Sequence, residues 1–100
     1  MQWSHVVEME NQKISFVYIL QSIKDNKFYV GYTTNLKNRL KRHKQGEVKA
    51  TKYRKPLRLV YYEECESRYE GRKREKYLKS LYGYREKRKL IKEFDKKVKF

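Results

Sequence analysis

The sequence predicts an α+β fold, a small three-stranded and mainly antiparallel sheet flanked by helices, and three observations carry that expectation. Two runs rich in β-branched and aromatic residues, Ser15 to Ser22 and Phe28 to Thr33, are separated by the turn-forming pair Asp25-Asn26. A third run with alternating character, Leu57 to Glu64, opens behind the sole proline, Pro56. Segments with apolar residues at helical spacing lie between and after these runs.

Met1 to Lys13 mixes Gln, Ser, His, Glu and Asn without a sustained period and reads as a tail, which places a single domain over residues 14–96 and a C-terminal tail over 97–100. The first strand carries Phe16, Val17, Tyr18, Ile19 and Leu20 and pairs with the second as a hairpin. Thr33-Thr34-Asn35 offers N-cap side chains for a helix running to about Gln45, with Leu36 and Leu40 on one face and Gly46 as its stop. Arg39 and His43 share the same i, i+4 spacing and are expected to project together at the edge of the sheet. In the third strand Leu57, Leu59 and Tyr61 alternate with Arg58, Val60 and Tyr62, the pattern of a half-buried strand. Ser67 followed by Glu70 fits a capping box, and Tyr77, Leu78 and Leu81 give the helix behind it an apolar side before Gly83. Gly71 inside that helix costs about 1 kcal/mol relative to Ala, or else marks a close approach. A last helix over 85–96 has Leu90, Ile91 and Phe94 at helical spacing among charged residues. No internal repeat is present.

One hundred residues make one compact domain, and at that length folding buries roughly two-thirds of the unfolded chain's surface. Hydrophobic residues are 38% and charged residues 39%, but 15% aromatics, ten of them tyrosines, argue for a thin aromatic core rather than a disordered polyelectrolyte. A net charge of +15 drives association with a polyanion through counterion release, so nucleic acid is the expected partner. No membrane association is expected: the one tryptophan is Trp3, and the longest apolar run, Phe16 to Leu20, is far too short to span a bilayer. The lone Cys65 allows no intramolecular disulfide, and His5 and His43 are too few for a Cys/His zinc site. With no N-terminal stretch resembling a signal peptide, a cytoplasmic setting is expected.

Val17-Tyr18-Ile19 and Tyr29-Val30-Gly31, ahead of a helix bearing Arg39 and His43 and a later helix bearing Glu75, resemble the GIY-YIG nuclease superfamily. The resemblance runs from about Ser15 to Lys92 and takes in Tyr29-Val30-Gly31-Tyr32-Thr33, Asn35-Leu36-Lys37-Asn38-Arg39-Leu40 and Arg74-Glu75 with Leu78-Lys79 behind it. It is greatest to the short stand-alone bacterial members. The resemblance implies a site in which Tyr18, Tyr29, Arg39 and Glu75 surround a single divalent metal, Mg²⁺ or Mn²⁺, with His43 beside them, Glu75 as the metal ligand and Tyr18 favoured over Tyr29 as general base. Val17 and Val30 depart from the family's glycine and isoleucine, and no asparagine follows Asn38 although several members carry one after the glutamate.

The residue types suit that chemistry. Cleavage of a phosphodiester needs an activated water, a cation at the developing charge and help for the leaving oxygen. A glutamate is a hard ligand for Mg²⁺, which keeps most of its waters, and arginine grips phosphate through two parallel hydrogen bonds. Tyrosine ordinarily titrates near pH ~10, so a tyrosine base needs positive charge nearby, which the metal, Arg39 and His43 are expected to supply. Each residue also has a plainer reading. Strand tyrosines usually pack, Glu75 has Lys79 four residues on and Arg72 three residues back as ion-pair partners, and His43 suits a satisfied core position. The basic runs Lys49 to Lys55, Arg72 to Arg74 and Arg85 to Lys89 suit a phosphate-tracking surface, and Arg42, Lys52, Arg54, Lys55, Arg72 and Lys79 are the expected nucleic-acid contacts. The expected function is therefore a metal-dependent endonuclease acting on DNA in preference to RNA, structure-guided or weakly sequence-specific, with a non-catalytic binding module of the same fold as the alternative.

Overall fold

The computed structural model describes residues 13–98, so the expected tail over residues 1–13 lies, but for Lys13, outside them. Strand β1 (Ser15–Ser22), strand β2 (Phe28–Thr33), helix α1 (Leu36–Lys44), strand β3 (Leu57–Cys65), helix α2 (Arg68–Lys79) and helix α3 (Tyr84–Val98) follow in that order. The sheet has the order β2-β1-β3 with both pairings antiparallel, the α+β architecture that the sequence predicts. The last helix runs through residues expected to start the C-terminal tail, because the charged face continues unbroken to the end of that element.

As the central strand, β1 is covered on both faces, and Val17, Tyr18, Ile19 and Leu20 are all buried. Val17 and Ile19 face α2 and α3, where they pack with Val30, Val60, Cys65 and Leu78, with Tyr61, Leu90 and Ile91 against them. Tyr18 and Leu20 face the other side, toward α1. Phe94 closes the core edge-on against Tyr61 and Tyr62, at ring-centroid distances of 5.8 and 5.7 Å.

Local signals terminate the elements as expected. The Asn35 side chain accepts from the Asn38 N–H at 3.1 Å, and the Ser67 hydroxyl accepts from the Glu70 N–H at the same distance. The hairpin turns through Asn26 at φ 60°.

Two expectations change. The alternation in β3 breaks at a bulge: Ile19 pairs with Tyr61 but Leu20 pairs with Leu59, leaving Val60 as the extra residue. Leu57 and Leu59 consequently share the α1 side with Leu20, while Val60 and Tyr61 both reach the core under α2 and α3. The other change concerns Leu81. Helix α2 ends at Lys79, where Ser80 leaves helical geometry, and this rotates Leu81 outward to 91% exposure while Leu78 is fully buried.

Candidate active site

The site begins with a cross-strand pair. Tyr18 lies opposite Gly31, and any Cβ at position 31 would collide with the Tyr18 ring, so the glycine is what lets the phenol lie flat across β2. The fully buried Tyr18 hydroxyl lies 2.7 Å from Nε2 of His43, whose Nδ1 lies 2.7 Å from the buried Thr51 hydroxyl. The Nε–H of Arg39 donates to the same Tyr18 oxygen across a long 3.4 Å. With that lone pair occupied, the phenol proton is placed to go to His43 Nε2, and His43 Nδ1–H to Thr51.

Burial decides the charges here. It pushes the Tyr18 phenol up to about 12, against the opposing hydrogen bond from Arg39. Burial, with Arg39 and then Arg42 adding repulsion, lowers His43 to about 4. The expectation that His43 supplies positive charge to a tyrosine is therefore corrected: burial first, and the Arg39 and Arg42 charges second, favour the neutral ring, which holds Tyr18. The guanidinium of Arg39 is held above its ordinary value by the Tyr18 hydrogen bond, with Tyr29 beside it.

Above this buried chain lies an open cleft of about 460 Å³ along the edge strand β2, between α1 and α2. Tyr29, Tyr32 and Thr33 come from β2 and Thr34 from the turn after it; Asn38, Arg39 and Arg42 come from α1, and Arg68, Arg72 and Glu75 from α2. Tyr29 packs over the buried pair, with ring centroids 6.3 Å from Tyr18 and 5.3 Å from His43. Glycine sets the height of α2 over the sheet. Gly71 lies against the Ser15 hydroxyl and the edge of Tyr32, and Ser15 fastens the helix by donating to the Ser67 carbonyl at 2.8 Å. Of the two sequence readings of Gly71, close approach is the one observed.

Glu75 is the only carboxylate lining the cleft among the described residues, and its side chain is 19% exposed. It also makes the helical pair anticipated with Lys79, at 2.9 Å. Arg72 stacks over Tyr32 at 4.4 Å instead of pairing with Glu75.

Of the residues singled out in the sequence, Tyr29, Arg39, Arg42, Arg72 and Glu75 line the cleft, Tyr18 and His43 lie beneath it, and Lys79 joins through Glu75. Lys52, Arg54 and Lys55 do not line it. Arg54 is turned toward Asp25 of the hairpin at 3.7 Å, Lys52 lies over Tyr53, and Lys55 borders a separate groove with Leu40 and Pro56. Arg74, next to Glu75 in sequence, faces the opposite side, where it bonds Glu63 at 2.8 Å and Glu86 at 2.6 Å. The sequence reading missed Tyr32, Asn38, Arg68 and Thr51 as parts of the site. Arg68, Arg72 and Glu75 at i, i+4 and i+7 carry a helix-face signal that would have found Arg68. A hydroxyl buried inside a basic loop, such as Thr51, leaves no signal. Asn38 stands in the cleft although no later asparagine exists.

Comparison with known proteins gives a consistent result. The GIY-YIG catalytic domain matches residues 14–89. A UPF0213 protein of Clostridium perfringens is 44% identical over 69 residues, covering 68% of this chain and 73% of that protein. A UPF0213 protein of Staphylococcus haemolyticus is 42% identical over 79 residues, covering 78% of this chain and 94% of its own length. The solution NMR structure of a UPF0213 protein from Bacillus halodurans superposes with a TM-score of 0.50 at 38% identity, covering 79% of this chain and 83% of that one. With a helix arginine, a helix glutamate and one strand tyrosine lining a single cleft and a second strand tyrosine buried beneath it, the chain belongs to the GIY-YIG nuclease superfamily, among its short UPF0213 members.

Proposed function

We propose that this chain is a divalent-metal-dependent endonuclease that cleaves phosphodiester bonds in DNA, guided by substrate structure or weakly by sequence. One observation carries the reading: four arginines, one recessed carboxylate and the Tyr29 hydroxyl converge in a single open cleft. No group of three or more His, Cys, Asp or Glu side chains is assembled among the described residues, which does not suit a dedicated all-protein metal cage. A single hard carboxylate in a cleft that tyrosine and threonine residues also line does suit Mg²⁺ or Mn²⁺ held mostly by water, with Glu75 as the holding residue and the half-exposed Lys79 free to swing aside. When bound, such an ion supplies charge neutralisation and an acidified water.

The residues of the chain divide the remaining work. Arg39 grips the scissile phosphate from α1, and the Tyr18–His43–Thr51 chain holds Arg39 from below. Tyr29, which lines the cleft, holds the attacking water or the phosphate, whereas Tyr18, which the family resemblance favours as general base, is fully buried beneath it with its hydroxyl on Arg39 and His43. The free, buried Cys65 suits the reducing cytoplasm to which we assign the chain. Incubation of branched, nicked and plain DNA with Mg²⁺ or Mn²⁺ tests the reading. Glu75→Ala and Tyr29→Phe should each lower the rate by about 10²-fold or more. No metal-dependent product from the unaltered protein, or equal cleavage by all three proteins, refutes it. The Glu75–Lys79 pair favours one second reading, a non-catalytic binding module, in which salt-sensitive DNA retention is unaffected by Glu75→Ala.

A further inference from the structure

The cleft holds more cationic groups than one phosphate needs. Arg39 and the Glu75 end serve the scissile group in the reading above, and Arg42 is engaged by Glu47 at 3.6 Å. Arg68 and Arg72 remain, and among the described residues neither has a carboxylate partner. Both are held in place. Arg72 is stacked on Tyr32 at 4.4 Å, while the Nε of Arg68 is packed out of solvent with no hydrogen-bond acceptor. An unpaired guanidinium with a shielded, unsatisfied N–H is costly in isolation and is stabilised by an anion that accepts from its remaining donors. Along α2, Arg68 stands about 10 Å from Glu75, so a phosphate seated at Glu75 and Arg39 does not also occupy the Arg68 end.

We infer that Arg68 and Arg72, braced by Tyr32, form a second phosphate subsite that binds the backbone phosphate next to the scissile one on the same strand. The inference rests on the nucleic-acid reading of this cleft and deepens it: the substrate is a strand with at least two adjacent phosphates, gripped in register by its backbone and without base contacts. Because both arginines ride on α2, whose approach is set by Gly71 and the Ser15–Ser67 hydrogen bond, the spacing between the two phosphate positions is built into the helix packing.

The test is equilibrium binding, without metal and in a Glu75→Gln background, of thymidine 3′,5′-bisphosphate against thymidine 5′-monophosphate. The bisphosphate should bind about tenfold tighter, and Arg68→Ala or Arg72→Ala should remove that advantage while leaving the monophosphate within about twofold. Lys96→Ala, which removes one exposed charge on α3, should keep the advantage, and Arg68→Lys should restore part of it. Thermal unfolding of each variant confirms that the fold persists. Equal affinity for the two nucleotides in the Glu75→Gln protein, or a loss in Arg68→Ala that is the same for both, overturns the subsite. Since no cleavage is needed, an inactive protein that still prefers the bisphosphate sinks the endonuclease reading alone, and an active protein without the preference sinks the subsite alone.

Discussion

Replacing Gly71 with alanine sets helix propensity against packing, and the two predict opposite signs. An interior glycine costs a helix about 1 kcal/mol relative to Ala, so propensity alone makes Gly71→Ala stabilising by that amount. The structure allows no such gain. A Cβ at position 71 would strike the fully buried Ser15 hydroxyl and come within 2.8 Å of Cε2 of Tyr32, neither of which is a loose surface end. Overpacking of this kind costs about 1–3 kcal/mol. Displacing the Ser15 hydroxyl also loses its bond to the Ser67 carbonyl, worth about 1 kcal/mol. The balance is a net destabilisation of about 1–3 kcal/mol, or a midpoint lowered by roughly 4–8 °C for each kcal/mol. Thermal unfolding followed by circular dichroism measures it. Adding Ser15→Ala to Gly71→Ala should recover part of the loss, because the hydroxyl is the nearest obstacle, and the double-mutant cycle should show coupling. Any DNA cleavage should fall further than stability explains, since lifting α2 shifts Arg68, Arg72 and Glu75 together. An unchanged or raised midpoint for Gly71→Ala would refute the claim that close approach of α2 shapes the cleft.

The other expectations use the same geometry. The folded-state pKa of His43, about 4, lies below its ordinary 6.5, so the unfolded chain binds the proton more readily; stability is full above about pH 6.5 and declines as pH falls toward 4. Urea titrations across that window should show this slope, flattened in His43→Asn; an identical slope in the variant would show that other groups set it. Gly31→Ala should be destabilising by about 1–3 kcal/mol because its methyl would enter the Tyr18 ring, and a native-like chemical-denaturation midpoint would count against that contact. Tyr18→Phe leaves the Nε–H of Arg39 and one His43 nitrogen without their partner, at a cost of about 1–3 kcal/mol, and should raise the mobility of Arg39 in side-chain NMR relaxation. Leu78→Ala should cost about 2–5 kcal/mol by leaving a cavity, whereas Leu81→Ala should stay within about 0.5 kcal/mol; comparable losses in the two would contradict the early end of α2.

How much of this was legible in the sequence depends on the range of the interaction involved. The hairpin around Asn26, the Asn35 and Ser67 caps, the three strands and the helices follow from side chains acting on backbone within a few residues, and those signals survive in any fold. The ordered set Tyr18, Tyr29, Arg39 and Glu75 was legible too, as was the polyanion-seeking charge of +15. Contacts between distant segments settled the rest. The bulge at Val60 follows from matching β3 to β1 while helices fill one face, and no periodicity within β3 encodes it. His43 is neutral mainly because it is buried, with the Arg39 and Arg42 charges of its own helix beside it, and the partners that enclose it, Tyr18 and Thr51, come from β1 and from the loop behind α1. Adjacent basic residues with the same local signature part company for the same reason: Arg54 turns to Asp25 and Arg74 to Glu63 and Glu86, leaving Arg68 and Arg72 for the cleft. Strands, helices and an excess of residue types suited to phosphate can be read from neighbouring residues alone; which charges are paired, which are neutral and which line the cleft cannot, because pairing and desolvation depend on neighbours brought together by folding.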